Sequence, residues 1–134
     1  MHYILFIFML LPCNLHEKQK ALINTKWEYK VAEGCVSYIT FKKNSTYENY
    51  NCEMDYPYSG KYEIKNDTIY LLEIDLESNV PSINKRNNYK KVITRRSKLV
   101  NKGDSLWYVS WEAFENKKWS KPITPPNEIF YKKK

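Results

Sequence analysis

The chain has 134 residues with a formal charge of +7, enough for one domain around one core and too few for two. Its two histidines are His2 and His16, so a folded body beginning near Ala21 has no Cys/His or Ser/His pair and no histidine-bearing metal site. Enzymatic activity and a bound cofactor are therefore not expected, and a non-enzymatic domain rich in tyrosine is.

Residues 4–11, Ile-Leu-Phe-Ile-Phe-Met-Leu-Leu, form an unbroken apolar run that Pro12 and Cys13 end. Spanning a bilayer takes ~20 such residues, whereas the core of a secretory signal is about this short. Leu10 stands three residues before Cys13, the spacing of a lipobox in which the cysteine becomes the lipidated first residue. Pro12 stands where that box has a small residue, so a plain signal peptide, or a buried first strand, is the alternative. The expected location is the periplasm or, with lipid on Cys13, the outer membrane or cell surface. Membrane contact would then run through that anchor alone. The resulting division is a leader and tether over 1–20, a folded domain over 21–131 and a solvated basic tail over 132–134.

Lys26, Glu28 and Lys30 alternate with Trp27, Tyr29 and Val31, which predicts a first strand ending at Glu33-Gly34. A hairpin follows, residues 36–41 and 46–51, flanked by Cys35 and Cys52. With Lys43-Asn44 as a two-residue turn, Phe41 opposes Thr46 and Cys35 opposes Cys52, close to the separation a disulfide needs; a turn at Asn44-Ser45 would offset them. Two free buried thiols are the alternative. A disulfide agrees with an oxidising compartment.

Residues 55–59 read as a loop, and Tyr62 and Ile64 alternate with Lys61 and Glu63 up to a tight turn at Asn66-Asp67. The fifth strand, 68–77, places Tyr70, Leu72, Ile74 and Leu76 on one face and Glu73, Asp75 and Glu77 on the other, outward face. Residues 78–88 read as a long loop, 89–100 as the sixth strand and 106–114 as the seventh, with Trp107, Val109 and Trp111 on one face. Asn116-Lys117-Lys118 turns the chain toward Trp119. Pro122, Pro125 and Pro126 interrupt regular pairing, and 128–131 forms a short closing strand.

Seven or eight consecutive antiparallel strands imply an all-β fold, a single up-and-down barrel of about eight strands, because closure removes both sheet edges. Trp27, the segment Tyr38-Ile39-Thr40-Phe41-Lys42-Lys43-Asn44-Ser45-Thr46-Tyr47 and the segment Gly60-Lys61-Tyr62-Glu63-Ile64-Lys65-Asn66-Asp67-Thr68-Ile69-Tyr70-Leu71 resemble the small secreted lipocalin-like proteins of Gram-negative bacteria. That resemblance implies a lipocalin-like β-barrel opened by Trp27. Thr25 and Ser45 stand where the family pattern has glycine.

Charge is distributed unevenly. From Lys85 to Lys102 there are eight basic residues and no acid, while residues 45–77 hold eight acids and two bases. Cross-strand pairing between these regions is the leading reading of the basic block; attraction to an anionic lipid or glycan surface is another, and export argues against nucleic acid.

Arg95 and Arg96 are adjacent in one strand, so one of them faces the barrel interior. An interior guanidinium either anchors the acid group of an apolar or amphipathic ligand, with Tyr62, Tyr70, Trp107 and Trp111 lining the site, or pairs with Glu48 or Glu112, or sits at a rim or bulge. The four aromatic residues serve equally as core filling. The functional expectation is an exported, lipid-anchored or freely secreted protein that binds a small ligand in its barrel. The alternative is a protein-interaction module, an inhibitor or immunity-type protein, using the barrel rim or the 78–88 loop. A filled barrel would favour the second.

Overall fold

The computed structural model describes residues 20–76, 91–126 and 128–134. The leader with Cys13, Glu77 and the predicted 78–88 loop lie outside the described residues. Among the described residues nine strands form: β1 (Lys26–Ala32), β2 (Cys35–Lys42), β3 (Thr46–Asn51), β4 (Tyr56–Lys65), β5 (Thr68–Leu76), β6 (Lys91–Asn101), β7 (Ser105–Glu115), β8 (Lys118–Trp119) and β9 (Phe130–Lys133). Each of β1 to β7 pairs antiparallel with the next, and β9 lies between β7 and β1, so eight strands close an up-and-down barrel and β8 is an extra strand on β7.

The closing segment departs from expectation in one respect. Residues 118–133 return along β7 in three short contacts, Phe114↔Trp119, Trp111↔Ile123 and Leu106↔Tyr131, with the prolines between them. The final strand is then Phe130–Lys133 rather than 128–131, and the lysines expected as a solvated tail keep exposed side chains while their backbone is paired. Lys132 and Lys133 pair with Glu28 and Trp27, and the Lys134 amide donates to the Lys26 carbonyl at 3.0 Å. The backbone ladder that joins the barrel ends requires these residues whatever their side chains.

One end of the barrel is plugged by the chain that precedes β1. Leu22, 2 % exposed, enters the core. The Asn24 amide donates to the Phe41 carbonyl, and the Phe41 amide to the Thr25 carbonyl. Trp27 Nε1 donates to Thr25 Oγ1 at 2.8 Å, and that hydroxyl donates in turn to the Leu22 carbonyl at 2.6 Å. Thr25 thus satisfies the buried indole where a glycine could not. Above the plug lie Ile39, Phe41, Tyr62, Ile69, Leu71, Leu99 and Leu106, all buried, each worth ~1.5–3 kcal/mol when fully removed from water.

The Cys35–Cys52 disulfide forms, with a Cα separation of 5.4 Å. The register expected for it does not. Lys42 pairs with Thr46 and Phe41 with Tyr47, one position from the predicted pairing, because Asn44 and Ser45 both take positive φ (61° and 55°) in a three-residue turn. Pairing stops at Tyr38↔Tyr50, and Asn51 Oδ1 then accepts from the Glu53 and Met54 amides. That turn curls Cys52 back, its amide donating to Ser37 Oγ. β4 also begins earlier than expected, since residues predicted as loop pair with β3 through Asn51↔Tyr56 and Tyr50↔Pro57. Its ladder with β5 ends at Gly60↔Glu73, so Pro57 interrupts no bond there.

Candidate functional site at the disulfide end of the barrel

Away from the plug, the interior changes from apolar to polar and aromatic. Two bulges decide which residues line it. In β6 the register steps from Glu73↔Arg95 to Ile74↔Ile93, leaving Thr94 as the extra residue. In β7 it steps from Leu99↔Tyr108 to Lys98↔Ser110, leaving Val109 as the extra one. An added residue reverses the alternation beyond it. Leu99, Ser97 and Arg95 point inward from β6 in unbroken alternation up to its bulge, and Leu106, Tyr108 and, across the Val109 bulge, Trp111 from β7.

Arg95 is thus the interior arginine. Its guanidinium carbon lies 4.7 Å from the centre of the Trp111 ring, a cation–π contact. It forms no ion pair with a carboxylate among the described residues. Glu73 faces it across the ladder, buried at 6 % exposure, and accepts a hydrogen bond from Thr94 Oγ1 at 2.8 Å. Burial pushes the Glu73 carboxyl above its usual range, with the Arg95 charge and the Thr94 bond pulling it down and Asp75 pushing it up. Tyr47 and Tyr108 complete the group. Burial raises both phenols, the negative charge of Glu73 adds to this, and Arg95 opposes it. The Tyr108 hydroxyl shares a hydrogen bond with Ser97 Oγ at 2.7 Å. Tyr56 donates to Asp75 Oδ1 at 2.8 Å.

Of the six residues expected to line a ligand site, the structure places Arg95, Tyr62 and Trp111 inside, and Arg96, Tyr70 and Trp107 outside. Tyr62 is core filling, its ring edge-on to Phe41 at 5.0 Å. Arg96 makes a two-bond pair with Glu112, 2.7 Å for each, and so takes the carboxylate proposed for the interior arginine. Glu48 pairs with Lys42. Trp107 stacks on Phe130 with Lys102 over its face at 4.0 Å. Tyr70 lies outside, with the ammonium groups of Lys65 and Lys98 5.5 and 5.7 Å from its ring centre. The basic β6 and the acidic β5 are neighbours as expected, but among the described residues the close ion pair of β6 runs the other way, to β7.

Glu73, expected on the outward face, is buried inside the barrel, and the cause is clear. The turn at Asn66-Asp67 has two residues, pairing Lys65 with Thr68 and Ile64 with Ile69. Once Tyr62 and Ile64 face inward, Ile69, Leu71 and Glu73 must do so too. Tyr70, Leu72 and Ile74 make the opposite face equally apolar, which masks this in the alternation. The turn length was the available signal, and it also finds Tyr47, whose partner Gly60 stands opposite Glu73. Tyr108 carried no comparable signal, because its place depends on the side of the Val109 bulge on which it falls.

Outside the barrel, Arg96 and Tyr70 border a groove of about 720 Å³ that also reaches Trp119. Among the described residues no group of three or more His, Cys, Asp or Glu side chains could hold a metal ion, and no helix is long and apolar enough to cross a membrane. The chain matches no family model, no curated protein and no solved structure.

Proposed function

We propose that this is an exported, non-enzymatic lipocalin-like protein that holds a small amphipathic acid at the disulfide end of its barrel. The acid group would sit on Arg95 and the apolar part against Trp111. The observation that carries this reading is the inward Arg95 guanidinium, stacked on an aromatic face and without an ion-paired carboxylate among the described residues. A guanidinium in such surroundings offers a planar pair of donors to a carboxylate, and Glu73, which feels its charge but takes its hydrogen bond from Thr94, leaves those donors open to a ligand. The packed lower core limits the ligand to a short one, since Ile39, Phe41, Leu99 and Leu106 are wholly buried. Export is supported by the Cys35–Cys52 bridge together with the apolar run over 4–11, and lipidation at Cys13 would tether the barrel to a membrane.

Native mass spectrometry of protein purified from an oxidising host, before and after denaturation, tests this. An added mass that leaves on denaturation, and that Arg95→Met does not retain, supports the ligand. The same packed lower core favours a second reading, a protein-interaction module that presents its rim and the 78–88 segment to an enzyme or toxin. A clean protein mass in both samples would discard the ligand in favour of that partner.

A further inference from the structure

The outer groove is built on two neighbouring cross-strand rungs. One runs Lys61, Leu72, Arg96, Glu112 and the next runs Glu63, Tyr70, Lys98, Ser110. Tyr70 and Leu72 form its floor, and Trp119 stands at its edge. The turn that brings Trp119 there has Asn116 and Lys117 at positive φ, 49° and 62°, folding β8 back along β7. The ring is then held on two sides, by Phe114 at 4.9 Å and by the Arg96 guanidinium carbon at 4.4 Å. Two of the Arg96 donors, on Nε and Nη2, go to Glu112 and orient the guanidinium over the ring.

Charge singles out what the groove would accept. Glu112 offsets Arg96, and Glu63 on the rim is paired with Lys65 at 3.0 Å. Lys61 and Lys98 remain, neither in an ion pair among the described residues. Two ammonium groups around an aromatic floor, in a volume typical of small-molecule sites, complement an anion carried on a flat apolar body. We infer that this groove is a binding site for a small ring-bearing organic acid, separate from the barrel interior. The acid group is held by the rim lysines and the ring lies against Tyr70, Leu72 and Trp119.

Calorimetric titration of the full chain with 1-naphthalenesulfonate, and with uncharged 1-naphthalenemethanol as the control, tests the site. The sulfonate is expected to bind at low salt about tenfold more tightly than the alcohol, as a charge-assisted contact implies, and to weaken as salt screens the lysines. The double variant Lys61→Met/Lys98→Met and the single variant Trp119→Ala each lose most of that binding, whereas Arg95→Met keeps it. Circular dichroism checks that the variants fold. In the unaltered protein, amide shifts induced by the sulfonate centre on Leu72, Lys98 and Ser110. Binding that survives the lysine double variant but disappears in Arg95→Met would place the anion in the barrel mouth and end the proposal, as would no binding up to the millimolar range.

Discussion

Glu73 and Arg95 face each other across the β5–β6 ladder with both side chains inside the barrel, yet the Glu73 carboxylate takes its hydrogen bond from Thr94 Oγ1. The carboxyl is consequently buried beside a positive charge without being fully compensated by it. Burial is the larger influence and raises its pKa above the ordinary carboxyl value of 4.5. An acid whose folded pKa exceeds its unfolded one stabilises the fold below the unfolded value and loses that contribution as pH rises through the folded value. Glu73→Gln should therefore gain stability relative to the parent as pH is raised from below 4.5 to neutrality. Urea unfolding at the two ends of this range measures the difference; a gap that stays constant or shrinks toward neutrality would show that Arg95 dominates after all.

Gly60 sits where β3, β4 and β5 come together, between Tyr47 and Glu73 in the ladder. A Cβ there would strike the Leu72 carbonyl oxygen and come within 2.9 Å of the Tyr47 ring. The carbonyl belongs to a paired strand and cannot yield. Gly60→Ala should cost about 3 kcal/mol, at the upper end of ordinary overpacking, read as a lower urea midpoint at unchanged slope. An unaltered midpoint would mean that the β4–β5 ladder is looser than its register implies.

The Tyr62 hydroxyl is buried without a hydrogen-bond partner among the described residues. Leaving a buried donor unsatisfied costs ~1–3 kcal/mol, so Tyr62→Phe, which keeps the edge-on contact with Phe41, should be neutral or stabilising by about 1 kcal/mol. Thermal and urea unfolding both report it. A clear loss of stability would reveal a partner for the hydroxyl.

Cys35 and Cys52 are 17 positions apart, and closing a loop of this length in the unfolded chain stabilises the fold by ~3 kcal/mol in the chain-entropy model. The double variant Cys35→Ser/Cys52→Ser should unfold at correspondingly lower urea. Adding a reductant should move the parent to the same midpoint and leave the variant where it is. If the oxidised parent and the variant coincide, the bridge contributes nothing to stability.

Thr25 closes a chain of two hydrogen bonds from Trp27 Nε1 to the Leu22 carbonyl. Thr25→Val removes both while keeping the shape and strands a buried indole N–H, at a cost of about 2 kcal/mol. Equilibrium unfolding followed through tryptophan fluorescence gives the value, and a cost near zero would show that the plug is held by Leu22 packing alone.

The strands could be read directly because period-two alternation is a local property: Trp27, Tyr29 and Val31, or Ile39 and Phe41, declare an inner face without reference to anything distant. The disulfide was legible for a related reason, since its cysteines flank a single hairpin, although the route to it differed once Ser45 joined Asn44 at positive φ. Closure into a barrel followed from strand number and short turns. Facing direction was another matter. An inserted residue at Val109 sets which tryptophan enters the barrel, and one at Thr94 separates the face that Arg95 shares with Ser97 and Leu99 from the alternation of the residues before it. Local alternation does not locate such an insertion, because a bulge is fixed by the register of the strand alongside. The amino-acid order therefore determined the strands, their sequence of pairing and the bridge. Only the tertiary structure decided which charges lie inside, because each strand's pleat is set against its neighbours around a closed ring.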